Sequence, residues 1–156
     1  MCADVDPRRS DAALGQWFRP LPLFQWQAEY SVKIGILDQH HKRLFELMNQ
    51  LHDAMREQSG QAVLAAILDN LLCYTQAHFS AEEVLMEAFG YPETLPHRIE
   101  HDRLTRIVLE FQQQFVAGQV RIGIQLMEFL ESWLVQHILG SDKKYVDFFA
   151  ERGAKR

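Results

Sequence analysis

At 156 residues, with 47% hydrophobic and 24% charged residues, the chain is sized for one well-buried core and is too apolar to be disordered throughout. A net charge of -5 supplies no basic field for a phosphate backbone, which argues against nucleic acid as a partner. Two cysteines, Cys2 and Cys73, are too few for a disulfide framework, the leader lacks a signal-peptide core, and no apolar run approaches the ~20 residues that span a bilayer, so the expectation is a cytoplasmic protein without a membrane partner.

Residues 1–24 carry Pro7, Pro20 and Pro22 among mixed charges and read as an N-terminal arm, leaving residues 25–156 as the folded domain. From there helical periodicity dominates and no alternating strand pattern persists. Leu37, His41, Leu44, Met48, Leu51 and Met55 recur at steps of four and three, predicting a first helix with Asp38 placed to cap its start. Ser59 and Gly60 end it. Val63, Ile67, Leu71, Tyr74, His78, Glu82, Leu85 and Phe89 predict a second helix that stops at Gly90. After Tyr91 and Pro92, a third carries His97, His101, Leu104, Val108, Phe111 and Phe115 and ends near Gly118. The fourth carries Leu126, Leu130, Trp133 and His137, with Asp142 beyond Gly140. Four helices with short joints predict an all-α, antiparallel up-down-up-down four-helix bundle.

Histidines and carboxylates interrupt the apolar side of these stripes, and such groups are costly to bury unless paired or bound to metal. One buried histidine would be an ordinary hydrogen-bonded core residue. Their heights along the bundle make a different case. His41 lies about 18 residues before the first joint and His78 about 19 after it, which at ~1.5 Å per residue puts both at one level. Glu82 lies about 9 residues before the second joint, with His97 and His101 about 6 and 10 beyond it. His101 and His137 lie about 17 and 19 residues either side of the third. His78 with Glu82, and His97 with His101, are i, i+4 pairs, so each pair projects from one helix face. Asp142 follows His137 by about 140° on a regular helix and joins the layer only if the turn through Gly140 and Ser141 loosens or shifts.

Other candidates fall away by phase. His40 is one helical step off the stripe, His52 is about three turns from the layer, Glu83 is about 100° from Glu82, and Glu87 lies beyond the site. All four read as structural or solvated residues. The remaining side chains outnumber the four that complete a structural zinc site, and imidazole with carboxylate suits iron, so a dinuclear iron centre fits. Ferritin-like di-iron bundles use Glu-x-x-His pairs, which this sequence lacks. Two carboxylates would incompletely balance two ferrous ions. That sign favours the ferrous state and reversible oxygen binding over oxidase chemistry.

The runs DQHHKRLF, HFSAEEVLM, YPETLPHRIEHD and WLVQHILGSDKKY resemble the successive motifs of the hemerythrin family, in the family's order, over roughly residues 25 to 150. Trp26 and Tyr30 resemble its aromatic lead-in, and as ordinary core or edge aromatics they need no such explanation. The resemblance implies that His97, His101 and His137 hold one iron, His41 and His78 hold the other, and Glu82 and Asp142 bridge them. It also implies a bridging oxo or hydroxo group, with oxygen binding at the ion that has fewer protein ligands. The family's Asp, three residues before the first ligand histidine, selects His41 over His40. Lys33 departs from the family, where glycine is frequent, and bears on the local loop shape.

The function so implied is oxygen carriage, storage or sensing by a non-enzyme, a free-standing monomer being favoured. The alternatives are a di-iron enzyme with oxidase, peroxidase or nitric-oxide-handling activity, and a metal-free interaction module, which would leave the histidines unexplained. No additional general acid or base stands out on the core face. Leu44, three residues after His41, and Trp133, four before His137, face inward beside ligands; they are either plain core packing or the apolar wall of an oxygen pocket.

Overall fold

A computed structural model describes residues 22–153 of the chain. The arm predicted over residues 1–24 lies outside them up to residue 21. The helices are α1 (Gly35–Arg56), α2 (Gln61–Phe89), α3 (Thr94–Val116), α4 (Ile124–His137) and α5 (Lys143–Glu151), the last two joined by a π-helical turn, Ile138–Asp142. Among the described residues there is no strand, and the molecule is the all-α four-helix bundle that the periodicity predicts, with α4, the π turn and α5 forming its fourth member. In the packing α1 lies against α2 and α4, and α2 lies against α3.

Each helix buries the stripe its sequence encodes. On α1 these are Leu37, His41, Leu44, Met48 and Leu51, and on α3 His97, His101, Leu104, Val108 and Phe115. Not every stripe member is fully buried, since Met55, Tyr74, Leu85, Phe89, Phe111 and Trp133 are half-buried. Val63, in the first turn of α2, is exposed, and on α4 the buried line runs through Met127, Leu130 and Leu134, leaving Leu126 half-buried at its edge. The α2–α3 turn explains why the two helices return at a fixed height. Gly90 adopts φ 66°, and the amides of Gly90 and Tyr91 donate to the carbonyls of Glu87 and Met86 at 3.2 and 2.8 Å, a glycine-dependent helix stop.

Asp38 does not cap α1, whose N-cap is Ile34. Its carboxylate reaches back instead, accepting from the Val32 amide at 2.7 Å and the Ser31 hydroxyl at 2.6 Å. The loop it gathers contains Lys33 at φ 59°, the left-handed conformation that favours glycine. Ahead of it, a single 3-10 turn, Ala28–Tyr30, packs Tyr30 on α1. Tyr30 stacks on Phe45 at 5.5 Å, and Asn49 holds Phe24 by accepting from its amide and donating to its carbonyl, at 2.9 and 2.8 Å.

The π turn decides where Asp142 points. In an α-helix position i+4 stacks over position i, but a turn closed by i→i+5 hydrogen bonds carries one more residue, and i+5 takes that place. The Lys143 amide donates to the Ile138 carbonyl across this wider turn. Asp142 therefore lies over His137 on the buried face, with no exposed surface.

Candidate metal centre

Four helices and one π turn bring seven ligand-type side chains together. α1 contributes His41, α2 His78 and Glu82, α3 His97 and His101, α4 His137, and the π turn Asp142, all between 0% and 4% exposed. Two groups form, Glu82 with His97, His101 and His137, and His41 with His78, Glu82 and Asp142; within each, one nitrogen or oxygen per residue lies within 4.8 Å of the others. Glu82 belongs to both. Its Oε2 is 3.4 Å from His97 Nε2 and 3.2 Å from His101 Nε2, while Oε1 is 3.7 Å from His78 Nε2 and 3.8 Å from His41 Nε2. Asp142 spans the groups likewise, with Oδ2 3.2 Å from His41 Nε2 and Oδ1 3.3 and 3.1 Å from the Nε2 atoms of His97 and His137.

The chemistry of these atoms tests whether a metal suits the place. Both ring nitrogens of His41 and His78, and both oxygens of Asp142, are buried without a hydrogen bond of sound geometry. Buried polar groups are normally satisfied, so a cluster of unsatisfied lone pairs facing one another is costly unless a cation lies between them. The donor set fits one.

Without a cation, the electrostatics are strongly opposed. Burial lowers the His78 imidazole to about 3, despite the attraction of Glu82. Burial acts in the same direction on His137, but the charge of the Asp142 carboxylate 3.1 Å away, with those of Glu82 and Glu100, outweighs it and lifts that group to about 9. On Asp142 itself, burial and the neighbouring Glu82 raise the carboxyl, and His137 and His41 more than offset them, leaving it below its ordinary value.

A second ring of contacts surrounds the layer, and the sequence reading missed it. The Tyr145 hydroxyl, on α5 and fully buried, donates to Glu82 Oε1 at 2.6 Å. Glu83 is not a solvated charge, as its phase suggested. It lies 3.0 Å from His101 Nδ1 and accepts from Arg98 Nε at 2.9 Å, while Arg98 also pairs with Glu87 at 2.9 Å. Glu100 lies 3.1 Å from His137 Nδ1 and accepts from the Ser141 hydroxyl at 2.6 Å. One signal was present for each: Tyr145 is an i+3 neighbour of Asp142, and both glutamates adjoin ligand-type residues in sequence.

His40 stays outside both groups, half-buried and edge-on to Tyr74 and His78 at 5.6 and 5.7 Å. His52 is half-buried near Asp53. Trp26 stacks at 6.4 Å on His41. Trp133, half-buried, stacks on His137 at 4.6 Å and 12° and meets the edge of Phe79, which stacks on His101 at 3.7 Å. Below the layer, Leu44, Thr75, Leu104, Leu130 and Trp133 help line a mainly apolar void of about 20 Å³. On its other side Trp133 borders an open cleft of about 420 Å³ between α3 and α4, with Glu100, Arg103 and Gln136 at its edge.

Comparison with known proteins agrees with this geometry. The family model described as the hemerythrin HHE cation binding domain matches residues 32–149. The bacteriohemerythrin of Stenotrophomonas maltophilia is 36% identical over 127 residues, covering 81% of this chain and 82% of that protein. That of Pseudomonas aeruginosa is 38% identical over 122 residues, 78% of each. A crystal structure of wild-type hemerythrin superposes with a TM-score of 0.76 at 33% identity, covering 80% of this chain and 96% of its own. The chain belongs to the hemerythrin family of HHE cation-binding domains.

Proposed function

We propose that this protein binds molecular oxygen reversibly at a centre of two iron ions, and that residues 25–156 form the oxygen-binding domain. The observation that carries the reading is the division of seven buried side chains into two groups that share Glu82. His97, His101 and His137 would hold one ion, and His41 and His78 the other, with Glu82 and Asp142 spanning both. A pair of ferrous ions held there would supply the electrons that reversible oxygen binding requires.

The protein's own residues fix the setting. Tyr145 donates to Glu82 and so holds one bridging carboxylate in place from α5. The void below the ligand layer has room for one small molecule, and its mainly apolar lining keeps it dry. Trp133 lines both this void and the open cleft. Leu44 and Trp133 thus serve as wall residues that shelter bound oxygen from water and proton donors.

No helix among the described residues is long and apolar enough to cross a membrane. We place the protein in the cytoplasm as a monomeric oxygen carrier or store. The test is direct. Iron-loaded protein, reduced anaerobically and exposed to oxygen, is expected to gain a visible absorption band that disappears when oxygen is removed; metal analysis is expected to give two irons per chain. One equivalent of zinc, no metal after iron-replete expression, or a band formed only with nitric oxide would refute the reading.

A further inference from the structure

Imidazole ligands differ in strength according to what their second nitrogen touches. A carboxylate on Nδ1 fixes the tautomer with Nδ1–H, presents the Nε2 lone pair to the metal, and makes that nitrogen a better donor. The two halves of the layer are unequal in this respect. His101 Nδ1 faces Glu83 at 3.0 Å, and His137 Nδ1 faces Glu100 at 3.1 Å. His41 Nδ1 and His78 Nδ1 are buried without a hydrogen-bond partner. Both carboxylates therefore serve the three-histidine side.

Each carboxylate is itself held. Glu83 is braced by Arg98, which pairs onward with Glu87. Glu100 is braced by Ser141, inside the π turn that also carries Asp142. The two anchors reach their histidines from different elements. Glu83 on α2 crosses to His101 on α3, and Glu100 on α3 crosses to His137 on α4. Removing either would loosen a ligand without emptying a coordination position.

We propose that Glu83 and Glu100 are positioning residues that make the two ions unequal, by strengthening and orienting His101 and His137 while leaving His41 and His78 unassisted. The inference rests on the two-ion reading above. The three-histidine ion is then held more tightly and is more easily oxidised, and the two-histidine ion, which has the open position, is the more labile. Loss of such an outer carboxylate typically weakens metal binding ~10–100-fold.

The experiment uses the iron-loaded, reduced protein and a ferrous chelator, following iron release with time. The parent is expected to release its two irons in a fast and a slow phase of equal amplitude. In Glu83→Gln, Glu100→Gln and the double variant, which keep side-chain shape and remove charge, the slow phase should quicken ~10–100-fold while the fast phase is unchanged. The midpoint potential of the more easily oxidised iron should rise, a shift that loss of packing alone would not give. Glu87→Gln, which pairs with Arg98 but touches no histidine, should match the parent in both readouts. A double variant with the parent's slow phase and potential, or with both phases quickened equally, would overturn the inference while leaving the two-ion centre standing. A parent that releases fewer than two irons would overturn the two-ion reading and this inference with it.

Discussion

Trp133→Ala should separate the wall role of this residue from its packing role. The indole is half-buried, stacked on His137 and edge-on to Phe79, and it borders both the void and the cleft. A fully buried Trp→Ala change costs about 3–5 kcal/mol. Because one side of this ring already faces the cleft, the expected loss is about 2–3 kcal/mol, consistent with ~100 Å² of apolar surface at ~25 cal/mol per Å². The larger effect concerns access, since the ring lines both the void and the cleft and its removal would widen the way between them. Water entering there would reach polar ligands and speed conversion of the oxygenated protein to the ferric form. The assay follows decay of the oxygen-dependent band in Trp133→Ala, Trp133→Phe and the parent, at a temperature where all three are folded. Decay should be fastest in the alanine variant and intermediate in the phenylalanine variant. Equal rates in all three would refute the wall role and leave Trp133 as packing.

Further expectations concern the ligands, pH and backbone. His41→Ala should lower iron content toward one per chain, whereas Glu82→Ala, which removes the residue common to both groups, should deplete both ions; two retained irons in Glu82→Ala by metal analysis would contradict the bridging role. In the metal-free protein His137 is raised to about 9, so it contributes stability that is complete below its ordinary value of 6.5 and is lost as pH rises through about 9. Metal must displace that proton, so binding of Co(II) at pH 7, measured by calorimetry in buffers of different ionisation enthalpy, should release about one proton from this group. The metal-loaded form should melt above the metal-free form, because the ions bind only the folded chain. Lys33→Gly should raise stability by about 0.5–1 kcal/mol in denaturant unfolding, since relief of the ~1–2 kcal/mol left-handed strain at φ 59° exceeds the added chain entropy.

How much was legible depended on the distance over which a residue's role is set. The layer of His41, His78, Glu82, His97, His101 and His137 could be counted from the joints because helical rise is fixed and the joints are short. Asp142 was legible as a question, since its phase is wrong for a regular helix and Gly140 with Ser141 gave a place for the correction. The left-handed Lys33 was foreshadowed by a residue where glycine is frequent. Glu83 and Glu100 were legible only as sequence neighbours of Glu82 and His101. Their phase on their own helices points away from the core, and only the neighbouring helix, bringing His101 or His137 alongside, gives them a task. Asp38 failed as a cap for a related reason, because it serves the loop before α1 rather than the amides of its first turn.

The extra residue in the π turn also works as a phase shifter. Beyond Asp142 the buried residues are Tyr145, Val146 and Phe149, a stripe that follows from Asp142 at helical spacing but not from His137 on an unbroken α-helix. Were the same residues wound as an unbroken α-helix, the inward positions would pass to Ser141, Lys144 and Phe148, and α5 would present a lysine to the core. A deletion at Gly140 would compensate such rewinding, because it puts Asp142 at i+4 from His137 and keeps Tyr145 and Phe149 on the inward face. Rewinding without that deletion would put the whole final helix out of register, withdraw the Tyr145 hydroxyl from Glu82, and expose Phe149. The ligand geometry and the seating of the C-terminal helix are thus set together by the winding of this one turn, and neither can change phase without the other.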